Sequence, residues 1–386
     1  MNMDLRLDER GDFYARKLQP EPRPDRLLLN MGPQHPSTHG VLRVLLEVEG
    51  EYVVRAEPVL GYVHRMHEKI AEIRTYPQYL PNMGRVDYLH ALAWNWAFVG
   101  AVERLAGLEV PKRAEFIRVI TCELNRINSH LLWWGAYLLD LGAFTPIMYA
   151  FEDRERIMDI LQRITGSRLT FCYFRFGGVS ADIDTRFCEE VREFCTVLEG
   201  RLDMFRDLVT DNVILRNRVE GVGEIDAKMC QSYGATGPVM RGAGIAYDVR
   251  RSEPYSVYHL FEFQIPTLAE GDAMARYMVR MEEIRQSISI LRQALDALPA
   301  GDFVHPLAPR RPCPPPGDVR FAVESARGKA GVHLISHGGE TPYRLKLRSP
   351  SFSNLSLFGE ATQGTLLADA VSTLGSLDLV IPEIDR

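Results

Sequence analysis

Apolar residues along this chain fall into three regimes. A polar, proline-bearing opening over residues 1–25 predicts a flexible arm. The apolar run Leu27-Leu28-Leu29-Asn30-Met31 then leads through a turn-rich block, GPQHPSTHG, into β-type runs on either side of Glu49-Gly50-Glu51. These predict a hairpin or small meander. From about Val86 the period changes to 3.6 and predicts helices over roughly 86–106, 113–140, 149–165, 183–210 and 270–297. Within 113–140, Phe116, Ile120, Leu124, Ile127, Leu131 and Leu138 hold that period, and the second half is apolar on all sides. Such a helix belongs at the centre of a bundle. Asp140-Leu141-Gly142 and Pro146 stop it.

Between 215 and 267, glycines and short β-type runs predict loops and short strands. The proline-rich 300–317 predicts an extended connection, and 319–386 predicts strands at VHLISH and YRLKLRS followed by a helix near 363–374. There is no internal repeat. The expected fold class is mainly α with β-meander pieces at both ends (α+β), built on a central long-helix bundle. Its expected organisation is the arm over 1–25 and a single domain over 26–386. That domain is β-rich at 26–70, helical at 86–210, mixed at 211–267, helical at 270–297 and α/β at 319–386.

Composition narrows the function. A chain of 386 residues buries a large core. Lys and Arg number 45 against 51 Asp and Glu, a formal net charge of −6, which speaks against a nucleic-acid partner. The longest uncharged helical stretch, from Ile127 to Leu139, is well short of the roughly 20 apolar residues that span a bilayer. The N-terminus has mixed charges and no apolar core of a secretory signal. A place in the cytoplasm, or peripheral on the cytoplasmic face of the membrane, follows as the expectation. Cys122, Cys172, Cys188, Cys195, Cys230 and Cys313 include no CxxC pair, so ordinary thiols are expected rather than disulfides, zinc or a cluster.

A series of motifs then appears in order: GPQHPSTHGVL (32–42), GYVHRxxEK (61–69), RTYxQxL (74–80), RxDYLH (85–90) and PKRAEFIRVIxxELNRINSH (111–130). They continue with LLDLGAxTPxxYAFEDRE (138–155), GGVxxD (177–182), RGxGxxYDVRRxxPY (241–255), ESARG (324–328), PYRxKxRxPxF (342–352) and a final LDLVIPEIDR. Over essentially residues 25 to 386 the chain resembles the 49-kDa-type subunit family of respiratory complex I, NADH-quinone oxidoreductase. That resemblance implies a fold like the large subunit of nickel–iron hydrogenases. It implies a peripheral place on the cytoplasmic side of the inner membrane, and a quinone cavity shared with a small subunit that carries a [4Fe-4S] cluster. Further peripheral-arm and membrane-arm subunits are the other expected partners, and proton translocation the coupled work. The stretches that hold nickel in hydrogenases read here RTYPQY and LDLVIPEIDR. Neither contains the soft thiolates such a site needs, so this chain is expected to hold no metal or cofactor of its own.

Quinone reduction consumes two electrons and two protons, and histidine titrates nearest physiological pH. The resemblance makes His39 the quinone head-group histidine and Asp140 the acid that pairs with it. Read without the resemblance, His35 and His39 are two hydrogen-bonding side chains of a proline-bearing loop, and Asp140 is a helix-end residue capping the next turn. His35 is expected to stabilise the loop. The resemblance places Arg65 and Arg85 near the neighbouring cluster; the plainer alternative for Arg65 is a surface ion pair with Glu68 or Glu72. Arg85, Arg241, Arg250 and Arg251 are expected at subunit contacts or cavity walls. His64 and His67 lack a third ligand, and the four tryptophans read as core anchors.

Three departures from the family matter. Asn82 stands where its second quinone ligand, a tyrosine, is expected; an amide donates a hydrogen bond but no proton. Tyr79 is the nearest phenol that can substitute. Thr170 replaces a histidine expected near the cluster, and the proline-rich 305–318 runs almost directly into Ala322-Val323-Glu324-Ser325, omitting a helical stretch. Two alternatives therefore stand beside quinone reduction: a related membrane-bound complex taking electrons from ferredoxin or another donor, and a scaffold with a degenerate site.

Overall fold

The computed structural model describes residues 26–35 and 40–386. The predicted arm and residues 36–39, His39 among them, lie outside these. The β-rich opening forms a three-stranded antiparallel sheet of β1 (Leu27–Met31), β2 (Arg43–Glu49) and β3 (Tyr52–Val59), in that order. Gly50 takes the positive φ that the tight β2–β3 turn requires. Val44, Leu46, Val48 and Val53 form the sheet's buried side.

Two helices the periodicity does not predict come next, α1 (His67–Ile73) and α2 (Tyr76–Met83). Thr75 and Gln78 form a reciprocal capping box on α2, and a proline sits in its first turn. These local signals suffice to start a helix despite Pro81 inside it. The predicted 86–106 helix begins only at Ala91, as α3 (Ala91–Ala106), because Asp87 turns the chain by accepting the Leu89 and His90 amides. Then follow α4 (Lys112–Asp140), α5 (Thr145–Thr165), the two-residue strands β4 (Phe174–Arg175) and β5 (Gly178–Val179), and α6 (Thr185–Phe205). The predicted 183–210 helix ends as a π turn over Arg206–Thr210.

Between 211 and 267 the expected strands are absent among the described residues. The segment instead carries α7 (Val213–Val219), α8 (Ala227–Tyr233), α9 (Pro238–Gly242) and α10 (Val249–Ser252). Asn212, Asp226 and Asp248 each accept a backbone N–H at the start of one of these helices. Helices of one or two turns are too short to register as a period. The chain closes with α11 (Ala273–Asp296), an antiparallel sheet of β6 (Gly317–Ser325), β7 (Gly328–Ser336) and β8 (Arg344–Arg348), and four helices: α12 (Pro350–Ser356), α13 (Phe358–Ala361), α14 (Leu367–Ser376) and α15 (Ile381–Asp385).

Helix α4 is central, packed by α3, α5, α11 and α14. Its burial matches the prediction, but its interior is not all apolar: Arg118, Glu123, Arg126 and His130 are fully buried on it. Glu123 accepts from Arg126 (3.1 Å), Arg250 (3.1 Å), Tyr258 (2.7 Å) and Ser287 (2.7 Å). Arg241 bridges Glu283 (2.7 Å) and Glu324 (2.8 Å). Arg241 and Arg250, expected at subunit contacts or cavity walls, are instead interior struts of this chain. Arg251 is exposed, its guanidinium over the Phe263 ring. All four tryptophans are core residues, as expected.

Candidate functional site

The last turn of the chain gathers the loops that carry the candidate residues. Asp140 ends α4, and its Oδ2 lies 3.6 Å from where a Cβ on Gly375 would sit. Trp133, seven residues earlier on α4, donates its indole N–H to the Gly375 carbonyl (2.8 Å). Beyond α14, Gly40 packs so closely on Ile381 that an added Cβ would meet its Cγ1 at 2.8 Å. This holds Gly40, the residue that follows His39 in the chain, against α15. Asp385 accepts the Gly61 and Val63 amides (both 2.9 Å), and His64 Nδ1 lies 2.7 Å from the Asp385 carbonyl. The segment 375–386 therefore touches three candidate regions: the end of α4, the end of the His39 loop and the turn before Arg65.

A fourth region joins through buried charge. Arg327 donates to Asp87 (2.9 Å), Ser129 (3.1 Å) and Asp378 (3.3 Å), all buried. Asp378 adopts a φ of 55°, a conformation non-glycine residues avoid. Met66, beside Arg65, and Thr170 are also at positive φ. For a β-branched residue such as Thr170 that is a costly state, of the kind concentrated at functional sites.

Glu383 on α15 is fully buried, with Oε1 accepting from Ser349 (3.0 Å) and Oε2 from Ser351 (2.9 Å). Burial first, and then the nearby Asp87, push its carboxyl up to about 7, against the opposing pull of Arg327. A raised folded-state value means that the fold favours the protonated acid. Its stabilising contribution is complete below the ordinary carboxylate range and fades as pH rises through about 7. Glu383→Gln, an amide that stays neutral, is therefore expected to gain melting temperature on the wild type at pH 8 relative to pH 5. An equal difference at both pH values would refute this.

The remaining candidates are placed as follows. Arg85 is exposed and donates to the Pro81 carbonyl. Gly84, beside it, packs on the Phe171 carbonyl, so Arg85 and Thr170 come from adjoining backbone segments. The Asn82 amide donates to the Tyr79 carbonyl within α2 (3.2 Å). Tyr79 turns into the core. Its ring is fully buried with its edge on Phe98, its hydroxyl has no partner among the described residues, and burial raises its pKa further. Arg65 is exposed with no ionic partner among the described residues. The surface-pair alternative fails because Glu68 is taken by Arg344 and Lys346, and Glu72 by Arg344 and Lys69. His67 is buried with neither ring nitrogen bonded among the described residues, and burial, Arg65 and His64 lower it to about 4. His130 on α4, which the sequence does not single out, meets Glu283 at 3.0 Å in the core.

Apolar side chains stand exposed on both flanks of the gathered loops. Leu139, Phe144, Met148 and Phe151 surround Asp140 in sequence, the last three at helical spacing, while Val41, Leu60, Tyr62 and Met66 flank the other two loops. No helix among the described residues is long and apolar enough to cross a membrane. A cavity of about 950 Å³ opens elsewhere, between α3, β6 and β8, and none of the candidate residues lines it.

The family described as "Respiratory-chain NADH dehydrogenase, 49 Kd subunit" matches residues 140–314 and 305–386. The chain is 59% identical over 358 residues to a D-type subunit of NADH-quinone oxidoreductase from Opitutus terrae, covering 93% of this chain and 90% of that one. It is 57% identical over 358 residues to the D-type subunit from Desulfotalea psychrophila (93% and 96% covered). With the corresponding protein of Geobacillus thermodenitrificans it shares 46% over 363 residues (94% and 99% covered).

Proposed function

The chain belongs to the 49 kDa subunit family of the respiratory-chain NADH dehydrogenase, and from that premise we propose that it supplies the quinone-reducing half of a seam shared with an iron–sulfur subunit. Electrons arrive from the neighbour's cluster. This chain contributes the pocket wall, the hydrogen bonds and the protons. The reaction adds two electrons and two protons to the quinone and breaks none of its skeletal bonds. His39, as imidazolium, donates to a quinone oxygen, and Asp140 sets its tautomer and proton affinity. Asn82 offers a hydrogen bond where a phenol would also offer a proton. The complex sits on the cytoplasmic side of the membrane, and its redox step drives proton transfer.

The observation that carries this reading is the convergence on residues 375–386 of the Asp140 helix end, the Gly40 end of the His39 loop and the turn before Arg65. The exposed apolar residues flanking them suit a surface that another subunit covers. In the purified complex, Asp140→Asn is expected to lower NADH:quinone activity by about tenfold or more. NADH oxidation by ferricyanide, which bypasses the quinone, stays unchanged. Equal quinone turnover in variant and wild type would remove Asp140 from the proposal.

A further inference from the structure

We infer that the cavity between α3 and the C-terminal sheet receives an acidic segment of another subunit of the complex. This rests on membership in a multi-subunit enzyme and not on the quinone reading, since the cavity shares no residue with the gathered loops.

Cationic groups line the cavity from several elements. Lys329 and Lys346 already carry carboxylates, Lys329 paired with Glu253 and Lys346 with Glu68 at 3.0 Å. Three arginines do not. Arg104, at the end of α3, donates to the Arg320 main-chain carbonyl (3.2 Å) and lies over the Phe321 ring. Arg348, at the end of β8, is held by neutral acceptors only: Thr236 Oγ1 (3.1 Å), the Gly234 carbonyl (2.7 Å) and the Lys329 carbonyl. Burial lowers its pKa, as expected for a desolvated cation whose hydrogen bonds all go to uncharged atoms. Arg320 on β6 is exposed and meets no carboxylate among the described residues.

Three guanidinium groups line this one concavity, and a guanidinium fork matches a carboxylate in a paired geometry that lysine does not offer. A single phosphate is far smaller than the roughly 950 Å³ available. The walls at Phe321, Tyr255 and Val332 give the apolar parts of a peptide somewhere to pack. Aspartates and glutamates of a partner chain fit both features.

A photoreactive p-benzoylphenylalanine in place of Arg320 tests this in the assembled complex. Irradiation is expected to join this chain to another subunit through a peptide rich in Asp or Glu, identified by mass spectrometry. Arg104→Glu with Arg320→Glu should weaken retention of that subunit at moderate salt by about tenfold, and Arg320→Lys, which keeps the charge but not the fork, should weaken it by less. Exposure of Arg320 keeps folding out of the comparison. A cross-link to a peptide without acidic residues, or none to another subunit, overturns the inference. So does unchanged retention in the charge-reversed variant. Loss of the cross-link on adding inorganic phosphate at about 10 mM, with retention unaffected, would make this a small-anion site instead.

Discussion

Replacing His39 with alanine is expected to lower NADH-driven quinone reduction by roughly 10²- to 10⁴-fold, the usual worth of a positioned proton donor. Assembly and ferricyanide-linked NADH oxidation should survive. The reason lies in how the neighbouring chain is held. Gly40 sits against Ile381 with no room for a Cβ, and Asp140 lies against Gly375 six residues earlier in the same segment. Gly40, the residue that follows His39 in the chain, is therefore tethered to the segment that Asp140 touches. Alanine removes the titrating ring without touching that anchor. His39→Gln serves as a control, since it keeps a hydrogen-bonding side chain without a group that titrates near neutrality. It should remain nearly as slow as alanine if proton delivery is the role. Quinone turnover at wild-type rates in both variants would leave the scaffold alternative standing.

The second large effect is on stability. Glu123→Ala is expected to destabilise the chain by about 3–5 kcal/mol, because truncating one side of a buried ion pair strands the other. Arg126 would keep only the Glu324 main-chain carbonyl, while Tyr258 and Ser287 would lose their acceptor. Burial alone would raise the Glu123 carboxyl, but Arg126 and Arg250 outweigh it and hold it well below the usual carboxylate range. The loss is a large share of the roughly 5–15 kcal/mol of a typical domain. A melting transition within a degree or two of wild type would contradict it.

The long-period parts of the fold were legible in the sequence. Helix α4 starts and stops within a residue of its prediction, and the hairpin turns at Gly50. What escaped was short or distant. The helices between Val213 and Ser252 are set by caps such as Asp226 and Asp248, one residue each, inside glycine-rich stretches that read as loop. The burial of Arg250 could not be read from its motif, since its partner Glu123 is 127 residues away. The candidate residues themselves were legible only through the family motifs. The gathering of their loops on 375–386 was not, because it depends on Gly40, Gly375 and Asp385 meeting partners far along the chain. The burial of Tyr79 was illegible for a related reason: position in sequence does not say which face of α2 turns into the core.

The most direct test of the account is photoaffinity labelling of the assembled complex with an azido-quinone, followed by mapping of the labelled peptides on this chain. Labelling at residues 36–41, at the end of α4 near Asp140, or on 375–386 is the predicted result, with protection by excess unlabelled quinone. Labelling confined to other peptides, such as those lining the cleft of Arg104, Arg320 and Arg348, would contradict it.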